Sequence, residues 1–77
     1  MAQTIVLIDY DLVSHEIRRI IHPEDDSQIV HHKPQAGWGQ VGAPHDDFPI
    51  ENGRPLYTLA RCGDAVEKHT GKRPPNA

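Results

Sequence analysis

In the stretch IVLIDYDLV, Asp9 and Asp11 stand two positions apart, a spacing that sets both carboxylates on one face of a β-strand. Carboxylates paired in this way can hold a divalent ion for phosphoryl transfer or nuclease chemistry. They serve equally as the wet side of an edge strand, where their charge blocks edge-to-edge pairing, and that role is the expectation here. A second pattern, GWGQVG at residues 37–42, matches the G-x-G-x-x-G of dinucleotide-binding loops. Such a loop needs a helix opening directly after it, so that helix N–H groups face the pyrophosphate. Pro44 and Pro49 follow at once, no long helix starts there, and the match is read as chance within a glycine-rich segment.

The other reactive side chains are poorly spaced. Of the six histidines, His31 and His32 are adjacent on an expected strand and point to opposite faces, while His15 and His22 would sit about 10 Å apart along a helix. His45 with Asp47, joined by His31 or His32, has the most workable geometry, yet no motif such as H-E-x-x-H is present, so neither a metal nor a cofactor is expected. Ser14 and Cys62 lack a base and an orienting group in reach. They read as a helix N-cap and a small buried side chain, and no catalytic residue is expected. Locally, IVLIDYDLV resembles the strand-then-DxD opening of haloacid dehalogenase-type phosphatases and the first strand of the small CRISPR-associated metal nucleases. The resemblance covers about nine residues. The phosphatases need a larger chain, a downstream Lys and further acidic motifs that find no place on this sequence, so their roles are not carried over.

What remains is contact chemistry. Trp38, the one tryptophan, has a glycine on each side. Its ring either folds back to cap a small core or anchors a partner, tryptophan being prominent among binding hot spots. Phe48 and Tyr57 suit either role. Glu24, Asp25 and Asp26, with Asp46 and Asp47, form two acidic clusters. Residues 1–53 carry three basic and nine acidic side chains, whereas residues 54–77 carry five basic and two acidic. The acidic part would steer the chain toward a basic surface. A polyanion-binding protein shows a basic stripe; only KHTGKRPPNA is basic here, which disfavours nucleic acid as a partner. Protonating all six histidines moves the formal charge from −3 to +3, so charge-guided binding is expected to change steeply between about pH 7 and 5.5.

The elements that must position these residues follow from periodicity. Residues 4–12 alternate apolar and acidic after an apolar run, which reads as a strand. Val13, Ile17, Ile20 and Ile21 fall at helical spacing, giving a short helix over 15–22 that ends at Pro23; the rival is a second strand turning through HPEDDS. Residues 28–33 read as a strand. The density of Pro and Gly over 34–55 gives a long irregular loop of a functional kind. Residues 56–61 read as a strand, and Asp64 with Glu67 as a capping box. A helix over 65–70 follows, with Gly71 as its stop, then a flexible tail at 72–77. The expected fold is α+β: a single small domain over 1–71, about three short strands, two short helices and the central loop. The alternative is a mostly β meander with one C-terminal helix.

Size limits the job. For 8.6 kDa, the folded surface should be about 4,700 Å² and the unfolded surface about 12,500 Å². Apolar burial and the cost of ordering the chain then nearly cancel, at about 115 kcal/mol each. Leu, Ile, Val and Phe make up 17 of 77 residues, close to the lower limit for a folded chain. The single Cys62 excludes an intramolecular disulfide and suits a cytoplasmic setting. The run at 5–8 is too short for a signal peptide or a membrane span. These observations lead to a small acidic protein-binding module that occupies a partner: an adaptor, a regulatory subunit or an inhibitor of the kind mobile elements encode. Trp38, Phe48 and the five clustered acids are its expected contact residues. The alternatives are a homo-oligomeric structural subunit, its strand 4–12 pairing with a copy, and a metal-dependent phosphoryl-transfer or nuclease-like enzyme using Asp9 and Asp11.

Overall fold

The computed structural model describes residues 5–21 and 32–77. β1 (Ile5–Asp11) is the central strand of a three-stranded antiparallel sheet, between β2 (Ile17–Ile21) and β3 (Trp38–Pro44). A 3-10 turn (His45–Asp47), a two-residue ladder of β4 (Ile50–Glu51) with β5 (Arg54–Pro55), and α1 (Leu59–Thr70) complete the chain. The class is α+β with one α-helix among the described residues, closer to the mostly β alternative than to the two-helix expectation. It is not a meander, because β3 returns to the far side of β1 rather than pairing with β2. The accessible surface, 4740 Å², is what the chain's mass calls for.

β1 forms where its apolar run at 5–8, three of four residues β-branched, favours a strand, and its two faces differ. Val6 and Ile8 pack with Ile17, Val41, Ala43 and Phe48 against Cys62, Ala65 and Val66 of α1. The turn after β1 is set by Asp11, whose carboxylate accepts the N–H groups of Val13 (2.8 Å) and Ser14 (2.9 Å), as short acidic side chains do in turns. His15, in the left-handed region at φ 66°, then redirects the chain. This is why 15–22 does not become the expected helix. The isoleucines at 17, 20 and 21 suit a strand as well as a helix, and the turn delivers them beside β1, where Leu7 faces Ile21 and Ile8 faces Ile20. The rival reading of a second strand is the one that fits; the HPEDDS turn lies outside the described residues. So do residues 28–31 of the expected strand 28–33, and Lys33 is not in a strand.

The glycine-rich loop expected over 34–55 is overturned at its centre, because GWGQVG from Trp38 onward is the start of β3. Gly39 is there for close approach: a Cβ on it would lie 2.6 Å from Cζ of Tyr10, whereas one on Gly42 would meet only Cδ1 of Ile5, at 3.4 Å. A glycine inside a strand often marks such a contact.

The expected strand 56–61 and the break at Cys62 and Gly63 are also corrected. Thr58 caps the helix by accepting the N–H of Arg61, so the helix starts at Leu59, well before the expected capping box at Asp64. Gly63 sits inside it at a cost of about 1 kcal/mol relative to Ala. A Cβ there would overlap the Ala77 methyl. The stop at Gly71 is as expected, with φ 85° and its N–H on Glu67 O. Residues 72–77, expected as a flexible tail, lie against the fold, with Pro74 buried and Ala77 packed on the core.

Candidate functional site

The face of the sheet turned away from α1 carries polar chemistry. Asp9, 0% exposed, sits in register between Arg19 of β2 and Gln40 of β3. Arg19 donates to Oδ2 at 2.7 Å and Gln40 to Oδ1 at 2.9 Å. The same two side chains donate outward to the carbonyls of Lys33 (3.1 Å) and His32 (2.6 Å). The Arg19 guanidinium lies 5.7 Å from the centre of the Trp38 ring, within cation–π range. Asp9 is therefore not on the wet side of an edge strand, as expected, but is the buried centre of a three-strand polar ladder. Asp11 is committed to its turn. The N–H groups of Ser14 and Val13 hold its carboxyl below the usual carboxylate range. Both aspartates thus have structural partners, and among the described residues no three His, Cys, Asp or Glu side chains converge on a point that would suit a metal.

Beyond Asp11 the chain exposes apolar side chains. Val13 is 92% exposed and Leu12 58%. They are held rather than loose. Leu12 N donates to Gly37 O at 2.9 Å, Asp11 N to Glu16 O at 2.8 Å and His15 N to Asp11 O at 2.8 Å. His15 meets the Thr70 hydroxyl of α1 at 3.1 Å and stacks obliquely on Tyr10, with ring centres 4.7 Å apart. Trp38 is the Cα partner of Asp11, so its backbone borders this tip, while its half-buried indole lies by the Arg19 guanidinium on the Asp9 face of the sheet.

The expected contact residues divide. Trp38 remains partly open beside the tip. Phe48, at 3% exposed, is spent in the core, edge-on to Tyr57 at 5.0 Å; as a partner anchor it is corrected, because no partner can reach it. Asp46 is exposed in the 3-10 turn. Asp47 is largely covered and neutralised within the chain, with Lys68 Nζ at 2.9 Å and His69 Nε2 at 3.5 Å. The Lys68 hydrogen bond, chiefly, holds its carboxyl below the ordinary value. Glu24, Asp25 and Asp26 lie outside the described residues. Cys62 is buried, and burial pushes its thiol up to about 11, the inert form expected of a packed cysteine. Leu12 and Val13 are the residues the sequence reading missed as contacts. Their signal was the D-L-V-S turn, an acidic residue followed by residues that a tight turn must turn outward.

Comparison with protein-family models, curated proteins and solved structures returned no match. Among the described residues there is no helix long and apolar enough to cross a membrane.

Proposed function

We propose that this chain is a small protein-binding module that acts by occupying a partner, as an adaptor, a regulatory subunit or an inhibitor. The observation that carries the reading is the tip: Leu12 and Val13 are exposed on a turn fixed by the Asp11 carboxylate and bonded to Gly37, next to Trp38. An apolar pair held in this way loses little freedom on docking, so more of its burial appears as affinity. Trp38, whose backbone borders the turn and whose ring is partly open, is of a type enriched at the energetic centres of interfaces. The partner would offer an apolar pocket for Val13 and Leu12. The net charge of −3 favours basic groups on the partner; exposed Asp46, rather than neutralised Asp47, is the acidic side chain of that cluster open to them, at the end of β3 away from the tip.

Immobilised full-length chain and its Val13→Asp and Trp38→Ala variants test this against lysate of the source cells. The reading requires a protein retained by the wild type and lost with both variants while their folded amide spectra persist. Equal retention by all three chains would refute it. Assembly through β1 is not favoured, since both edges of that strand are taken by β2 and β3.

A further inference from the structure

The chain has two asparagines, Asn52 and Asn76, and the fold treats their carboxamides in opposite ways. Asn76 is held at both ends: Oδ1 accepts from Ile17 N at 2.9 Å, and Nδ2 donates to Ile17 O at 3.1 Å. Asn52 stands at the exposed end of the β4–β5 ladder, where its carboxamide has no partner among the described residues. Its φ is 52° and that of Gly53 is 75°, the left-handed pair of a two-residue hairpin turn. The Gly53 N–H donates to no backbone acceptor among the described residues, and a Cβ on Gly53 would have nothing within 4 Å. An unheld carboxamide is thus followed, in solvent, by an unheld backbone nitrogen with no side chain to shield it.

We propose that the Asn52–Gly53 turn is a site of spontaneous covalent modification, which converts Asn52 to an isoaspartyl residue and thereby opens the β4–β5 ladder. The Gly53 nitrogen gives up its proton to hydroxide and bonds to Asn52 Cγ. The Cγ–Nδ2 bond breaks, and the side-chain nitrogen takes a proton from water and leaves as ammonia, which regenerates the hydroxide. Water then adds to one of the two carbonyls of the resulting cyclic imide. Addition at the main-chain carbon breaks its bond to Gly53 N, so the chain runs on through Cβ and Cγ and the former main-chain carbonyl becomes a free carboxylate; addition at Cγ gives ordinary Asp. Water is the one reagent consumed. The ring closes only once the turn relaxes from its left-handed form. The ladder that holds it pairs Glu51 with Arg54 and Ile50 with Pro55, and so short a hairpin is held weakly, so relaxation does not require the sheet to unfold. The product has an extra main-chain carbon, which spoils the two-residue spacing of the turn, and a new negative charge beside Glu51. This turn is separate from the Leu12 and Val13 tip and does not depend on the role proposed for it.

The test is incubation of the full-length chain at about pH 8, in buffer and in urea, followed by mass analysis of the peptides that carry residues 52 and 76. In buffer the Asn52 peptide should gain about one mass unit, mostly as the isoaspartyl form, at a rate within about tenfold of that in urea. The Asn76 peptide should stay unchanged over the same time, and Asn52→Gln should abolish the gain. In the purified isoaspartyl form, amide signals of residues 50–54 should move to unfolded positions while those of β1 and β3 hold. A rate in buffer further below the urea rate would overturn the proposal. So would conversion of Asn76 as fast as that of Asn52, a gain that survives Asn52→Gln, or an isoaspartyl form whose 50–54 signals are unmoved.

Discussion

The two faces of β1 are built on opposite principles. Toward α1, Val6 and Ile8 belong to a cluster of apolar side chains, and that face is closed by packing. On the other side, one strand position away, the Asp9 carboxylate is equally buried but is held by Arg19 and Gln40. The first face is tolerant of chemistry and strict about volume. The second is strict about chemistry, because a buried charge that loses its partner costs far more than the intact pair contributes. Trp38, under the Arg19 guanidinium, belongs to the polar face, so that face also sets the ring of the residue whose backbone pairs with Asp11 at the base of the exposed tip.

The largest break in this contrast is Ile8→Ala. It opens a cavity in the apolar face and should cost about 2–5 kcal/mol, read as a lower urea midpoint with unchanged slope. Arg19→Ala comes next. It leaves Asp9 buried with Gln40 as its remaining side-chain donor among the described residues, and because Arg19 is itself 38% exposed the expected cost is about 2 kcal/mol rather than the ~3–5 of a fully buried pair. The sharper form is a double-mutant cycle. Arg19→Leu combined with Asp9→Leu should cost less than the two single changes summed, since no charge is then stranded.

Two pH effects separate the apolar core from its polar border. The folded state holds the Asp47 carboxyl below its ordinary value, chiefly through the Lys68 hydrogen bond. This contribution to stability is full above the unfolded value of about 3.9 and is lost as pH falls through the lower folded one. Asp47→Asn should flatten stability against pH in that acid window and leave pH 7 to 8 little changed in slope. Cys62 runs the other way. Burial raises its thiol to about 11, so its contribution is full below about pH 8.5 and lost as pH rises toward the folded value. Alkylation of Cys62 at pH 8 should accordingly be slow in the native chain and fast in urea. The smallest expected effect is Val13→Asp, within about 0.5 kcal/mol of wild type in stability because the side chain touches so little, while partner retention is lost.

The legible parts of this fold were those where local chemistry and tertiary demand agree. β1 followed from an unbroken apolar run rich in β-branched residues, and the end of α1 from a glycine able to take φ 85°. β2 was not legible as a strand, since Ile17, Ile20 and Ile21 satisfy both periodicities and only the Asp11 turn decides between them. β3 was hidden by Gly39 and Gly42, which look like loop residues; at Gly39 it is the Tyr10 ring that needs the space. Gly63 misled in the same way, its purpose being to admit Ala77. For the candidate site, Trp38 stood out by type alone. Burial of Phe48 and exposure of Val13 depend on which way each is turned by residues distant in sequence, so residue type pointed the wrong way in both cases.

The central claim, that the tip next to Trp38 is the docking surface, is tested most directly by an amide chemical-shift map of the labelled chain with its captured partner bound. The account predicts that the largest changes fall on residues 11–14 and 37–39, with the outer face of α1 unperturbed. Changes concentrated on α1 or on the β4–β5 ladder, with residues 11–14 unaffected, would contradict it.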